Sequence, residues 1–172
     1  KEVQEPLYNT DDACQTLEQF MGMAYNTPFQ IVPGVVASFR DAGHVLGSAI
    51  TTLVIDDEET KTQKLLAFTG DLGRKGLPIL RDPTELERAD ILIMESTYGN
   101  RFHEALSTIS DDLEKIVKET CEKGGKIIIP AFALERTQEI VYHLNLLFQA
   151  NRIPDIPIYV DSPLAVNLTE VF

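Results

Sequence analysis

Three short words in this chain set a His, an Asp and a Glu beside glycine-flanked turns: Asp41-Ala42-Gly43-His44-Val45-Leu46-Gly47-Ser48, Phe68-Thr69-Gly70-Asp71-Leu72-Gly73 and Met94-Glu95-Ser96-Thr97-Tyr98-Gly99-Asn100. Imidazole nitrogen and carboxylate oxygen are donors that zinc accepts, and small neighbours such as Gly43, Gly47, Gly70 and Gly73 let a backbone loop close tightly around an ion. Each word adjoins an apolar run that reads as a strand: Ile31 to Phe39 before His44, Leu65 to Phe68 before Asp71, and Ile91 to Met94 before Glu95. Strand ends deliver side chains to one rim of a sheet, so the three words read as part of a metal site. The same residues also fit a loop His bonded to backbone and an Asp in a tight turn.

The elements that must position these residues divide into two patterns. Thr10-Asp11-Asp12-Ala13 reads as the cap of a helix that carries Leu17, Phe20, Met21 and Tyr25 as a core stripe and ends at Asn26-Thr27-Pro28. Strands follow at Phe29–Val32, Val35–Phe39, Ser48–Ile55 and Lys64–Phe68, with the polar stretch 56–62 turning between the last two, which implies a largely antiparallel sheet. From Leu86 onward strand and helix alternate: Ile91–Glu95, His103–Lys123, Lys126–Pro130, Leu134–Asn151, Pro157–Val160 and Leu164–Phe172. That alternation implies a parallel α/β layer. Gly124-Gly125 reads as a helix C-cap, with no phosphate-cradle spacing around it.

In order and neighbours the words resemble the metallo-β-lactamase hydrolases, and within them the β-CASP branch that cuts RNA or DNA. Gly43-His44 looks like the third metal motif, Gly70-Asp71 like the fourth, and Glu95-Ser96-Thr97-Tyr98-Gly99 like the first motif of the β-CASP branch. The runs 127–139, Ile-Ile-Ile-Pro-Ala-Phe-Ala-Leu-Glu-Arg-Thr-Gln-Glu, and 158–165, Ile-Tyr-Val-Asp-Ser-Pro-Leu-Ala, resemble stretches inside the β-CASP insertion, so the likeness covers nearly the whole chain. It implies an α/β fold: part of a metallo-β-lactamase αββα sandwich over residues 1–100, then the start of a β-CASP parallel α/β domain over 101–172. It further implies a phosphodiesterase working with two zinc ions, His44 holding one ion and Asp71 bridging both. Glu95 would be a catalytic residue acting through an active-site histidine whose tautomer it fixes. Single-stranded RNA is the substrate the likeness favours.

The family's main zinc-binding run, His-x-His-x-Asp-His, is absent from the chain, whose histidines are His44, His103 and His143. The chain opens at Lys1-Glu2-Val3 without Met and stops at Phe172 in what reads as a helix start, so the expectation is an internal fragment. A catalytic zinc takes three protein ligands, and this stretch supplies one full ligand and one shared one; the isolated piece is expected to be inactive.

At 172 residues and 44% hydrophobic content the chain can build a real core. Its apolar runs are far shorter than a bilayer span and no leader pattern is visible, so a soluble cytoplasmic protein without a membrane partner is expected. Cys14 and Cys121 lack any metal or disulfide spacing and read as reduced and partly buried. A net charge of −12 and a pI near 4.6 oppose binding of a polyanion. Much of the excess is local, at Asp56-Asp57-Glu58-Glu59, Asp82 to Glu87 and Asp111-Asp112-Leu113-Glu114, placed on a hairpin, a loop and a helix start. A metal centre can itself supply the positive charge a phosphate needs.

Further candidates each have a plainer alternative. Arg136, at a helix start, could receive a phosphate or pair with Glu139 three residues on. Ser96 and Ser162 could donate to a phosphate; Ser96, Thr97 and Asn100 are also ordinary turn formers, and Asp161-Ser162-Pro163 is an ordinary helix-start device. Asp41 could orient His44 or face solvent. His103 and His143 read as surface or packing residues. The rival functions are a small-molecule ester or thioester hydrolase of the same fold, which would share His44 and Asp71, and a non-catalytic scaffold of an RNA-processing assembly. Edges exposed where a sheet is cut lead to an expectation of homo-oligomers.

Overall fold

The computed structural model describes residues 6–103 and 106–172. Five strands form one sheet in chain order: β1 Phe29–Val32, β2 Val35–Asp41, β3 Ala49–Asp57, β4 Thr62–Phe68 and β5 Ile91–Ile93. The first four pair antiparallel, and β5 pairs parallel to β4 with Phe68 opposite Ile93. The long hairpins are driven by β-branched and apolar residues, and the acidic 58–61 stretch closes the β3–β4 turn, where Asp57 Oδ1 accepts the Glu59 and Thr60 N–H groups. Ile50, Thr52 and Ala67 are buried on one face of the sheet and Ala37 on the other. The Thr52 hydroxyl is satisfied by the Ser38 hydroxyl at 2.7 Å.

Four helices complete the α/β architecture: α1 Thr10–Leu17, α2 Leu106–Glu122, α3 Arg136–Gln149 and α4 Pro163–Thr169. A second core lies between α2 and α3, where Val117, Leu144, Leu147 and Ile153 are buried together. Arg152 ties the two helices at their rim by donating to Asp111 and Glu114. The acidic residues 111–114 therefore sit within α2 instead of at its start, and two of them are structural partners.

Several expectations are corrected. α1 is capped by Asn9, whose side chain accepts the Asp11 and Asp12 N–H groups, and it ends at Leu17. Leu17, Phe20 and Met21 are exposed, and of the stripe read as core Tyr25 alone is half-buried, its hydroxyl donating to Ser48 C=O. His103 is not helical; α2 is assigned from Leu106, and residues 104–105 lie outside the described residues. Lys126–Pro130 and Pro157–Val160 carry no strand pairing. Apolar, β-branched composition makes a strand only where a neighbour supplies the ladder, and Ile128 and Tyr159 stand 90% and 87% exposed. Cys14 and Cys121 are free, as expected, but exposed. No helix among the described residues is long and apolar enough to cross a membrane.

Candidate functional site

The sheet topology brings the three words together. β4 and β5 are parallel neighbours, so the loops after their C-terminal ends, Gly70–Gly73 and Met94–Gly99, emerge side by side. Thr51 at the start of β3 pairs with Phe68 at the end of β4, which brings the 42–48 connection from β2 to the same rim. His44, Asp71, Glu95, Ser96 and Arg136 consequently line one cavity of about 640 Å3.

The loop that carries His44 is built around Ser48. Its Oγ accepts the His44 and Val45 N–H groups at 3.1 and 3.2 Å, while its carbonyl accepts the Ala42 N–H and the Tyr25 hydroxyl. Asp41 Oδ1 accepts the Gly43 N–H at 2.8 Å, so Asp41 braces the turn. Ser48→Ala leaves two loop amides without their acceptor and is expected to cost about 1–2 kcal/mol in urea denaturation, with faster amide exchange at His44 and Val45.

The loop that carries Asp71 docks on this one backbone to backbone. Gly73 N–H donates to Ala42 C=O at 2.9 Å, and a Cβ on Gly73 would fall 1.6 Å from Gly43 O. Gly43 has φ of 63°, and a Cβ there would meet Arg81 O and Pro83 N at 2.7 Å. Glycine at both positions is what lets the two loops touch.

Glu95 locks the Asp71 loop from the neighbouring strand end. Its Oε1 accepts the Leu72 N–H at 2.7 Å. That bond, followed by one from Thr97, holds its carboxyl below the ordinary value of 4.5 against the opposing effect of burial, with a smaller contribution from the nearby His44. Its described partners are thus a backbone amide and a threonine, while the histidine that the resemblance implies for it is expected outside this stretch of sequence. A folded-state value below the unfolded one means that Glu95 stabilises above pH 4.5 and that this contribution disappears as pH falls through the lowered value. The stability difference between the protein and its Glu95→Gln variant is therefore expected to be largest near neutrality and to shrink below pH 4.5, measured by denaturation across that range.

The remaining candidates separate. Ser96 lines the cavity, and its carbonyl accepts the Gly99 N–H. Arg136 lines it too, with Nη1 2.7 Å from Glu139 Oε2, the i,i+3 pairing that was the alternative to a phosphate role. Ser162 does not line the cavity; it caps α4, its Oγ accepting the Ala165 N–H at 3.2 Å. Glu135 and Glu139 line the cavity too; the sequence offered Glu139 only as the partner of Arg136 and gave no role to Glu135, although the run 127–139 contains both, and it placed His103 outside the site. His103 stacks on Tyr98 at 3.9 Å between ring centroids, and Arg101 lies 4.1 Å above the same Tyr98 ring.

Zinc is tested by the donors present. Among the described residues no three His, Cys, Asp or Glu side chains group closely enough to hold an ion. His44 and Asp71 share the cavity, while one Glu95 oxygen is engaged by the Leu72 amide. These donors are chemically suited to zinc but do not complete a site among the described residues.

The chain is thus an α/β protein in which three loops at one rim of the sheet bring His44, Asp71 and Glu95 to one cavity. Residues 137–172 match the Beta-Casp domain family. Over 172 residues the chain is 33% identical to Ribonuclease TTHA0252 of Thermus thermophilus, covering 100% of this chain and 38% of that protein. It is 34% identical over 168 residues to an RNase J-like protein of Methanocaldococcus jannaschii (96% of this chain, 38% of that one). It is also 34% identical over 166 residues to Transcription termination factor FttA of Methanosarcina mazei (94% and 25%). The chain thus spans 38% or less of each of these relatives. These likenesses bear out the resemblance to the metallo-β-lactamase β-CASP family.

Proposed function

We propose that this chain is the part of a zinc-dependent ribonuclease that carries one wall of its two-metal centre, within a protein that hydrolyses phosphodiester bonds of single-stranded RNA. The observation that carries the reading is the convergence of His44, Asp71 and Glu95 on one cavity, in a chain similar along its whole length to Ribonuclease TTHA0252. His44 would hold a metal ion through its imidazole and Asp71 would add a carboxylate ligand, with the remaining ligands supplied from outside the described residues. Bound zinc supplies the charge that polarises a phosphoryl oxygen and activates water. Glu95 fixes the Asp71 loop through Leu72, which makes it a positioning residue, and Ser96 and Arg136 offer donors to substrate phosphates. The metallo-β-lactamase half ends near residue 100 and the β-CASP half follows.

The test offers the purified full-length protein single-stranded RNA, single-stranded DNA and a panel of small esters and thioesters. RNA cleavage, abolished by a chelator and restored by zinc, is the expected result. Turnover confined to the small molecules would instead assign an esterase, and inactivity on every substrate with zinc bound would assign a binding scaffold.

A further inference from the structure

Beside the residues offered to a metal and to phosphates, the same cavity is lined by ring side chains that neither role uses. Tyr98 is presented by two overlapping turns, in which the Gly99 N–H donates to Ser96 C=O at 2.9 Å and the Arg101 N–H to Tyr98 C=O at 3.2 Å. These turns fold the next residues back onto its ring. The His103 imidazole stacks on it at 3.9 Å between centroids with the planes 24° apart, and the Arg101 guanidinium lies 4.1 Å from the ring centroid. Phe132 comes from the segment before α3, and its carbonyl accepts the Thr137 hydroxyl at 2.8 Å, which ties it to the first turn of that helix. Tyr98, His103 and Phe132 all line the cavity that His44 and Asp71 line. Phe132 is nevertheless 85% exposed and Tyr98 44%, and none of the three rings belongs to the core between α2 and α3. Rings held at a cavity in this way forgo the stabilisation of burial and keep their faces for a ligand.

We propose that Tyr98, His103 and Phe132 form a base-stacking subsite of the RNA-cleaving site proposed above, on which this inference rests. A nucleobase is a flat π-face joined to its phosphate through a single sugar, so a phosphate held beside His44 and Asp71 carries its base into the part of the cavity that these rings line. The imidazole, backed by Tyr98, and the phenyl of Phe132 supply faces for that base, and Arg101 adds a positive charge on the same stack. Stacking reads no hydrogen-bond pattern, so the subsite accepts any base but requires one that is unpaired. Bases inside a duplex already lie on their neighbours, which makes the subsite selective for single strands. It also supplies affinity that owes nothing to charge, as a chain of net charge −12 needs for a polyanion.

Cleavage rates of the full-length protein in zinc-containing buffer test this, on a short single-stranded RNA and on the same RNA with one abasic ribonucleotide placed at each position in turn. In the parent, an abasic residue beside the cleaved bond is expected to lower kcat/KM by about 5–150-fold. Phe132→Ala and His103→Ala are each expected to lower it by about 5-fold or more on intact RNA. Both should cut that abasic RNA as fast as the parent does, because the missing base and the missing ring are two halves of one contact. His103→Phe keeps a flat ring and is expected to hold the parent rate on intact RNA, which separates stacking from proton transfer or metal ligation by the imidazole. Variant losses that add to the loss from the abasic site would overturn the proposal, as would a parent that cuts intact and abasic RNA equally. Lowered stability with abasic sensitivity unchanged would overturn it too, by assigning the rings to packing. A parent inactive on every RNA would remove the ribonuclease reading beneath it, and this inference with it.

Discussion

Asp71→Ala in the full-length protein is expected to lower RNA cleavage by roughly 10³-fold or more while leaving the fold intact. Asp71 is exposed at the cavity, directly after Gly70 at the end of β4. Removing its carboxylate empties no core, and among the described residues the bonds that join the loops run through Gly73, Ala42 and Glu95. A structural Asp in such a turn would show the reverse pattern, with lost stability and retained rate. Denaturation midpoint and kcat, measured on the same variant, distinguish the two.

Gly73→Ala is expected to give the largest loss of stability of any single methyl added to the rim, about 3 kcal/mol or more. The new Cβ would sit 1.6 Å from Gly43 O and 2.7 Å from His44 N, against backbone that cannot rotate away. Relief requires the Asp71 loop to lift off the His44 loop, which breaks the Gly73–Ala42 hydrogen bond and moves both candidate ligands. Stability and activity should therefore fall together. Gly22→Ala, where nothing lies within 4 Å, is the matched control and is expected to stay within about 0.5 kcal/mol of the parent in the same urea titration.

Local signals in the sequence located the first sheet to within a few residues, because its strands are bounded by turns whose residues also close the ladder: the acidic stretch after β3 and the glycines after β2 and β4. The same words placed His44, Asp71 and Glu95 at strand ends, and parallel pairing of β4 with β5 gathers them. Pairing was illegible for Lys126–Pro130 and Pro157–Val160, since a ladder depends on a neighbour that local composition does not specify. The helical spacing of Leu17, Phe20 and Met21 predicted a buried stripe, yet periodicity reports amphipathicity and not whether a partner is present. Ser162 was ambiguous between phosphate donor and helix cap, and the Pro163 beside it was the better signal. The positive φ of Glu135 was illegible because sequence assigns that backbone conformation to glycine or asparagine, not glutamate.

The most direct test of the account is the zinc content of the full-length protein and its Asp71→Ala and His44→Ala variants, by elemental analysis after dialysis against metal-free buffer. About two ions per chain are expected in the parent and a clear loss in both variants, the larger in Asp71→Ala, the ligand proposed to be shared by both ions. Unchanged zinc in both variants would contradict it, because the rim built from the Gly43 and Gly70 loops would then hold no metal.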